Sequence, residues 1–374
     1  MWHEIWIAAV KVLFVLPNIA IGGVERVRLT LIEYLASHGI ECRLALRRYQ
    51  GELLERGLKL TTVDDLAPRG LHQFIPSLVK VIRREQPTHV ITAFPDMGLL
   101  TWLALKISGS RAKWIHSVHD TQANLTSRSD RLGRFRYMIK SRSGDFCYRR
   151  ADAVVTVSEG IRREILAKYV LAPSKIVTLH NPAIPDELLC WKRLPLESGA
   201  SPCRIVALGR LVHQKGFDVL IRAMANVPGP WQLDIWGDGI ERSKLFALAG
   251  ELGLRDKIRF CGSTMEPFAA MREADIFVLP SRHEGLPGVL IEALACQCQI
   301  VAADCPQGPR EILQEGKLGQ LVPVEDANAL AVAITRVIEG KHRVNSNLLL
   351  ERAYDFTRSV CCARWESLLR DLAD

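Results

Sequence analysis

The sequence predicts an α/β protein built from two open, doubly wound parallel sheets that face each other across a cleft, and three observations predict it. Short apolar runs rich in β-branched residues alternate with amphipathic segments along both halves of the chain. The alternation restarts after residue 203, beyond a stretch at 183–203 that is rich in Pro, Glu and Ser. A length of 374 residues, 48% of them hydrophobic, supplies two ordinary domains with separate cores. The expected divisions are an N-terminal acceptor-side domain at 1–183, a linker at 184–203, a C-terminal domain at 204–355 and a terminal helix at 356–374.

Each element follows in order. Residues 11–16 form a buried-strand run closed by Pro17-Asn18; Gly22-Gly23 come next, and an amphipathic segment at 24–38 stops at Gly39, a residue suited to a helix C-terminus. Residues 89–94, 113–118 and 153–157 have the length and β-branching of strands covered on both faces. The second half repeats the pattern at 204–209, 232–237, 257–260, 276–279 and 299–303, with helical segments between. Ligands of such sheets bind beyond the carboxyl ends of the strands.

Composition bounds the setting. The apolar run at 5–10 is too short to span a bilayer and no small-residue cleavage site follows it, so secretion is not expected. Cys42, Cys147, Cys190, Cys203 and Cys261 are scattered, and Cys296/Cys298 and Cys361/Cys362 lack C-x-x-C spacing. They read as reduced, mostly buried thiols of a cytosolic protein. Residues 1–190 carry 27 Lys and Arg against 18 Asp and Glu, while residues 191–374 carry 22 against 23. That asymmetry predicts a first half facing something anionic: a membrane surface, a phosphorylated substrate or nucleic acid.

The residues with chemical character lie at strand ends. Gly22-Gly23 could let backbone amides approach a phosphate or sugar, or could be a tight turn. Gly237-Asp238-Gly239 lacks the spacing of a dinucleotide fingerprint. Arg210 and Lys215 in Gly209-Arg-Leu-Val-His-Gln-Lys-Gly216 offer a forked donor and a point charge suited to a diphosphate, the alternative being a solvated basic loop. His119, beside Asp120, ends one strand run; His116 on the same run reads as structural. Glu284 and Glu292 bracket Gly285-Leu286-Pro287-Gly288, with Pro287 expected in the first helical turn, Glu284 in the preceding loop and Glu292 in the helix body. Two carboxylates so spaced could each accept hydrogen bonds from one ring of an elongated nucleotide-sugar. Singly, they could be a capping residue and a surface charge.

At these residues the chain resembles the retaining glycosyltransferases of family 4, the bacterial surface-glycan type with two-domain GT-B architecture. The resemblance runs from Gly22-Gly23-Val24-Glu25 to the terminal helix and is most specific between Arg204 and Ile312. Glu284-Gly-Leu-Pro-Gly-Val-Leu-Ile-Glu292 is similar to the family's E-x7-E signature, and Gly209 to Phe217 to its diphosphate loop. The resemblance implies that Glu284 and the amides of Gly285 and Leu286 engage the transferred sugar, that Glu292 meets the ribose, and that Arg210 and Lys215 hold the phosphates. It also implies a donor contact for His119, a place near sugar and acceptor for Gly22 and Gly23, and amide donors beneath the diphosphate from the helix that Pro287 begins. Cys296-Gln-Cys298-Gln and His283 depart from the common pattern outside these positions.

The reaction implied is same-face substitution with retention, the departing nucleoside diphosphate helping to accept the acceptor proton. No carboxylate stands out as the nucleophile of a double displacement. No D-x-D motif marks a strand end, so no metal is expected; no cofactor is expected either, the nucleotide-sugar being a substrate. Likeness around Asp304-Cys-Pro-Gln-Gly-Pro-Arg310 to users of UDP-hexoses favours uridine. Arg131, Arg134, Arg136 and Lys140, interleaved with aromatic residues within 126–150, suit an anionic membrane surface, the alternative being a packed basic helix pair. The expected partners are thus a nucleotide-sugar, a glycan or lipid-linked acceptor and the cytoplasmic face of the inner membrane. A nucleotide-sugar epimerase is the first rival. A nucleic-acid-binding protein is the second, with no recognised module to support it. By the same resemblance the terminal helix should cross back onto the first domain.

Overall fold

The computed structural model describes residues 10–20, 22–67, 70–120, 131–190, 202–264 and 266–373, with the side chains of 71, 131–140 and 190 excepted. The chain divides into two compact units, Met1–Pro182 with Arg358–Asp374 and Ala183–Thr357.

The first unit runs β1 (Lys11–Leu16), α1 (Gly23–Ser37), β2 (Glu41–Leu46), α2 (Leu54–Leu60), β3 (Thr62–Asp65), α3 (Phe74–Glu85) and β4 (His89–Thr92). It continues through α4 (Pro95–Ser108), β5 (Lys113–Val118), α5 (Arg131–Arg150), β6 (Ala153–Thr156), α6 (Glu159–Lys168) and β7 (Ile176–Thr178). The seven strands form a parallel sheet in the order β3-β2-β1-β4-β5-β6-β7. Val12 to Leu16 are buried on both faces, as expected of a central parallel strand with helices above and below. Leu29, Leu31, Ile32 and Leu35 of α1 join that core.

The second unit runs β8 (Cys203–Leu208), α7 (Phe217–Met224), β9 (Trp231–Trp236), α8 (Arg242–Glu251), β10 (Ile258–Gly262), α9 (Pro267–Arg272) and β11 (Ile276–Leu279). It closes with α10 (Gly288–Ala295), β12 (Gln299–Ala303), α11 (Gly308–Ile312), β13 (Gln320–Val322), α12 (Ala327–Ile338) and α13 (Ser346–Tyr354). The parallel order is β10-β9-β8-β11-β12-β13. Ile205, Ala207, Leu233, Ile235 and Val278 face one core with α7 and α12, while Val206, Phe277, Ile300 and Ala302 face another with α10. The period-two alternation of a strand thus feeds two helical layers.

The last helix, α14 (Arg358–Asp371), returns to the first unit. Cys362, Trp365 and Leu369 on one face of α14 enter the core shared by β1, β2 and α1. In both sheets the strand order reverses at one gap, β1 against β4 and β8 against β11, and at each such gap the loops leaving adjacent strands diverge and open a crevice.

Candidate functional site

The β8–β11 gap gathers most of the second unit's singled-out residues. The loop after β8 carries Lys215 and ends at Gly216, whose φ of +67° is left-handed. A Cβ there would lie 2.0 Å from the carbonyl oxygen of Pro280, so only glycine lets this loop lie against the one after β11. The two loops are then stitched by hydrogen bonds. Arg282 N donates to Gln214 O at 2.8 Å, Gln214 Nε2 to His283 O at 3.0 Å, and Arg282 Nη1 to His213 O at 2.6 Å.

Arg282 also clamps Asp218, in the first turn of α7, through Nη1 and Nη2 at 2.8 Å each, and reaches Glu325 at 2.5 Å. Burial alone would push the Asp218 carboxyl up, but the Arg282 hydrogen bonds outweigh it and hold the carboxyl below the usual range. Such a bidentate pair fixes the loop rather than offering itself to a ligand.

Within this frame Lys215 Nζ lies 2.7 Å from Glu284 Oε1, and Ser281 Oγ donates to the same oxygen at 2.6 Å. The Glu284 side chain is 7% exposed and that of Lys215 18%, so the pair is largely withdrawn from water. Both of these hydrogen bonds fall on Oε1, which leaves the lone pairs of Oε2 for a ligand hydroxyl. Arg210 is exposed and makes no ion pair among the described residues. Gly285 and Pro287 are buried, and Leu286 is half-buried.

Pro287 is the N-cap of α10, with extended backbone at φ −69° and ψ 101°, rather than a residue of its first turn. A proline there costs nothing, since the preceding residues never enter the helix. Glu292 lies in the body of α10 and is half-buried. Gly308, opening α11, packs so closely that a Cβ would meet Pro287 Cδ at 2.5 Å and Gly285 O at 2.9 Å, which braces the 285–287 turn from the β12 side. Cys305 is buried nearby; burial first, then the charge of Glu284, pushes its thiol up to about 12, so it is no thiolate nucleophile at neutral pH.

In the first unit, Gly22 is the N-cap of α1, and a Cβ on it would meet Glu25 Oε2 at 2.2 Å. Gly23 is the first residue of α1 and has open space where a side chain would stand. Burial raises the Glu25 carboxyl above its usual range. His119, just past β5, is half-buried, and its Nε2 lies 3.0 Å from Arg28 Nη2 and 3.0 Å from Ser117 Oγ. Burial, then the charge of Arg28, then His116, hold His119 well below the usual imidazole range. His116 is fully buried with Nδ1 3.0 Å from Thr92 Oγ1, and burial drives it to about 3.

Sequence reading missed Ser281, Arg282, Asp218 and Arg28 as parts of these constellations. Ser281 and Arg282 lie just before the E-x7-E motif; Ser281 reaches Glu284 only three residues on, whereas the Arg282–Asp218 clamp spans 64 residues and leaves no local signal. Arg131, Arg134, Arg136 and Lys140 lie on α5, and their side chains fall outside the described residues. No described helix is long and apolar enough to cross a membrane.

Two family models match the chain. Glycosyl transferases group 1 matches residues 197–350, and Glycosyltransferase Family 4 matches residues 21–187. The N-acetylgalactosamine-N,N'-diacetylbacillosaminyl-diphospho-undecaprenol 4-alpha-N-acetylgalactosaminyltransferase of Campylobacter jejuni is 32% identical over 51% of this chain and 52% of its own length. The lipopolysaccharide core biosynthesis glycosyltransferase LpsE of Rhizobium meliloti is 26% identical over 85% of this chain and 86% of its own. The structure of Anabaena HepE in complex with UDP and glucose superposes with a TM-score of 0.81 at 19% identity, covering 97% of this chain and 100% of that one. That likeness shows the GT-B fold. With one of the two models lying over each parallel sheet, the chain belongs to the group 1, family 4 glycosyltransferases.

Proposed function

We propose that the protein is a retaining, metal-independent hexosyltransferase. It moves a hexose or N-acetylhexosamine from a nucleotide-sugar, UDP-linked by preference, to a lipid-linked or surface-glycan acceptor at the cytoplasmic face of the inner membrane. The observation that carries the reading is the Lys215–Glu284 contact of 2.7 Å at the β8–β11 reversal. A cation and a carboxylate at adjoining strand ends match the two demands of the reaction. Negative charge grows on the departing diphosphate, and sugar hydroxyls need an acceptor that fixes the ring.

Lys215 and the exposed Arg210 would stabilise the leaving diphosphate, with the amides at the start of α10 adding donors. Glu284 would hold the sugar through Oε2 while Lys215 and Ser281 steady Oε1. A carboxylate so engaged is a poor nucleophile, which supports same-face substitution over a covalent glycosyl-enzyme. Glu292, within α10, would accept from the ribose hydroxyls, and His119 would contact the donor.

The relatives support the finer points. The Campylobacter enzyme is named for a diphospho-undecaprenol acceptor, LpsE for lipopolysaccharide core biosynthesis, and HepE was solved with UDP and glucose. The test is a thermal-shift panel of UDP, GDP, ADP and their common sugars on wild type and Glu292→Ala. Because a ligand that binds only the native state raises the midpoint, UDP and one UDP-sugar should raise it, and the variant should respond less. Silence from every nucleotide at millimolar concentration would remove the reading. For the donor that binds, the anomeric configuration of the product by NMR decides retention, and product formed without acceptor would favour the epimerase.

A further inference from the structure

Arg28 is an expensive residue where it stands. It lies on α1 between Val27 and Leu29, among side chains that build the core of the first unit, and is 1% exposed. Among the described residues no carboxylate meets its guanidinium, and its Nε and Nη1 have no hydrogen-bond partner. Burial alone brings its guanidinium down to about 10. An uncompensated buried cation is among the costliest groups a core can hold, and a leucine would pack α1 without that cost.

Two contacts offset the cost in part. The guanidinium carbon sits 5.1 Å from the ring centroid of Trp365 on α14, a cation–π arrangement with a ring that is itself 2% exposed. Its Nη2 lies 3.0 Å from His119 Nε2. The second contact has only one polarity, because a guanidinium has donors and no acceptor. His119 Nε2 must therefore bring its lone pair, and the single proton of the neutral ring must sit on Nδ1. Ser117 Oγ approaches the same nitrogen at 3.0 Å, so both neighbours converge on Nε2 and neither competes for Nδ1–H.

We propose that Arg28 is a positioning residue that locks His119 in the neutral, Nδ1–H tautomer, so that the imidazole presents one directed hydrogen-bond donor to the donor sugar. This rests on the reading of His119 as a donor contact. A ring that exchanged tautomers, or took a second proton, would present either nitrogen as a donor and lose that direction. Arg28 on α1 blocks both changes, its charge opposing a second proton and its N–H opposing a proton on Nε2. His116, the other titratable group facing the ring, adds to the opposition, and Trp365 on α14 holds the guanidinium in place.

The test reads the tautomer directly. Full-length protein labelled with 15N in its histidines, with His119 assigned through His119→Gln, is examined by long-range proton–nitrogen correlation from pH 5.5 to 8. Wild type should show Nδ1–H and no titration across that range. In Arg28→Met the ring should populate Nε2–H, and its titration should move up toward the ordinary imidazole range while burial and His116 still hold it below. In the same variant the Kd for whichever of UDP-glucose, UDP-galactose and their N-acetyl derivatives binds wild type should rise about tenfold, while the Kd for UDP itself stays put. Arg28→Lys, a cation without the planar fork, should recover part of the loss, and Ser117→Ala should leave the tautomer unchanged.

Nε2–H in wild type overturns the proposal, as does a ring that stays wholly in the Nδ1–H tautomer in Arg28→Met. If the tautomer changes but no UDP-sugar binds more weakly, the tautomer assignment stands and His119 loses its place as a donor contact. Should Arg28→Met fail to melt cooperatively, Arg28→Lys and the wild-type spectrum decide the question.

Discussion

Glu284 meets two donors at one buried oxygen, and that crowding makes its partners separable by mutation. Lys215→Met removes the cation and leaves a carboxylate that is 7% exposed with, among the described residues, Ser281 as its hydrogen-bond donor. Breaking a buried pair from one side costs up to 3–5 kcal/mol; here about 2 kcal/mol is expected, because Lys215 retains some contact with water. Adding Glu284→Gln to Lys215→Met should return most of that stability, since the stranded charge is gone, while turnover stays at the floor in both single variants and the double. Denaturant midpoints supply the stability half of the cycle and single-turnover assays the other. A loss in the double equal to the sum of the two single losses would mean that the pair is not coupled. At the same scale, native Cys305 should resist iodoacetamide at pH 8, with its thiol held near 12, and label only on unfolding.

Among the elements, the loop ending at Gly216 makes the sharpest prediction, because two glycines in similar conformations have opposite surroundings. Gly216 has φ +67° and a Cβ would strike Pro280 O at 2.0 Å, whereas Gly229 has φ +85° and nothing within 4 Å. Gly229→Ala should therefore cost only the left-handed backbone penalty, about 1 kcal/mol. Gly216→Ala should cost several kcal/mol by forcing β8 and β11 loops apart, and should lower affinity for UDP even where the protein remains folded. Melting midpoints and UDP titrations of the two variants check it, and equal midpoints would refute it. For α5, charge reversal at Arg131, Arg134 and Arg136 should abolish sedimentation with anionic liposomes, and unchanged binding would sink the membrane proposal. The elements also show what a sequence reveals. The runs at β1, β4, β5, β6, β8, β9, β11 and β12 were legible because strands inside a covered sheet need continuous or closely alternating apolar residues, and the short run at β10, an edge strand, showed through Ile258 and Phe260. β2 was not, because Glu41 and Arg43 at its start look like surface, yet they join Lys11 and Glu85 in an ion-pair cluster at the sheet's end. β3, β7 and β13 are edge strands of three or four residues, too short to carry a pattern. In the site, motif residues were visible as types, but the pairing of Lys215 with Glu284 spans 69 positions and arises only when β8 and β11 lie side by side.

For the whole molecule, the titrating groups are distributed as unevenly as the charge. His89 and His116 are buried in the first unit, and burial first brings them to about 4 and about 3; for His89 the charge of Lys113 adds to that and Asp152 opposes it, and for His116 the charge of Arg28 adds. His119, in the same unit, shifts the same way. The unfolded chain protonates histidine near 6.5, so below that pH it takes up protons that the native unit refuses until about 4 and 3. Stability contributed by the neutral native rings is therefore complete above about pH 6.5 and drains away as the pH falls toward those values. At pH 5.5 the two rings should cost the first unit about 3 kcal/mol relative to pH 8, at roughly 1.4 kcal/mol per group per pH unit. His89, His116 and His119 all lie in the first unit, so acid should pull the two units apart in stability. Calorimetry at pH 5.5 should resolve a lower transition for the first unit from an upper one, with the two closer at pH 8. UDP should raise the upper transition, since the proposed phosphate and sugar ligands other than His119 and the glycines lie in the second unit. His116→Asn, whose amide oxygen can still accept from Thr92, removes one titration and should move the lower transition back up at pH 5.5 with little change at pH 8. A single transition that shifts as one with both pH and UDP would refute the separation and make the two units one cooperative body.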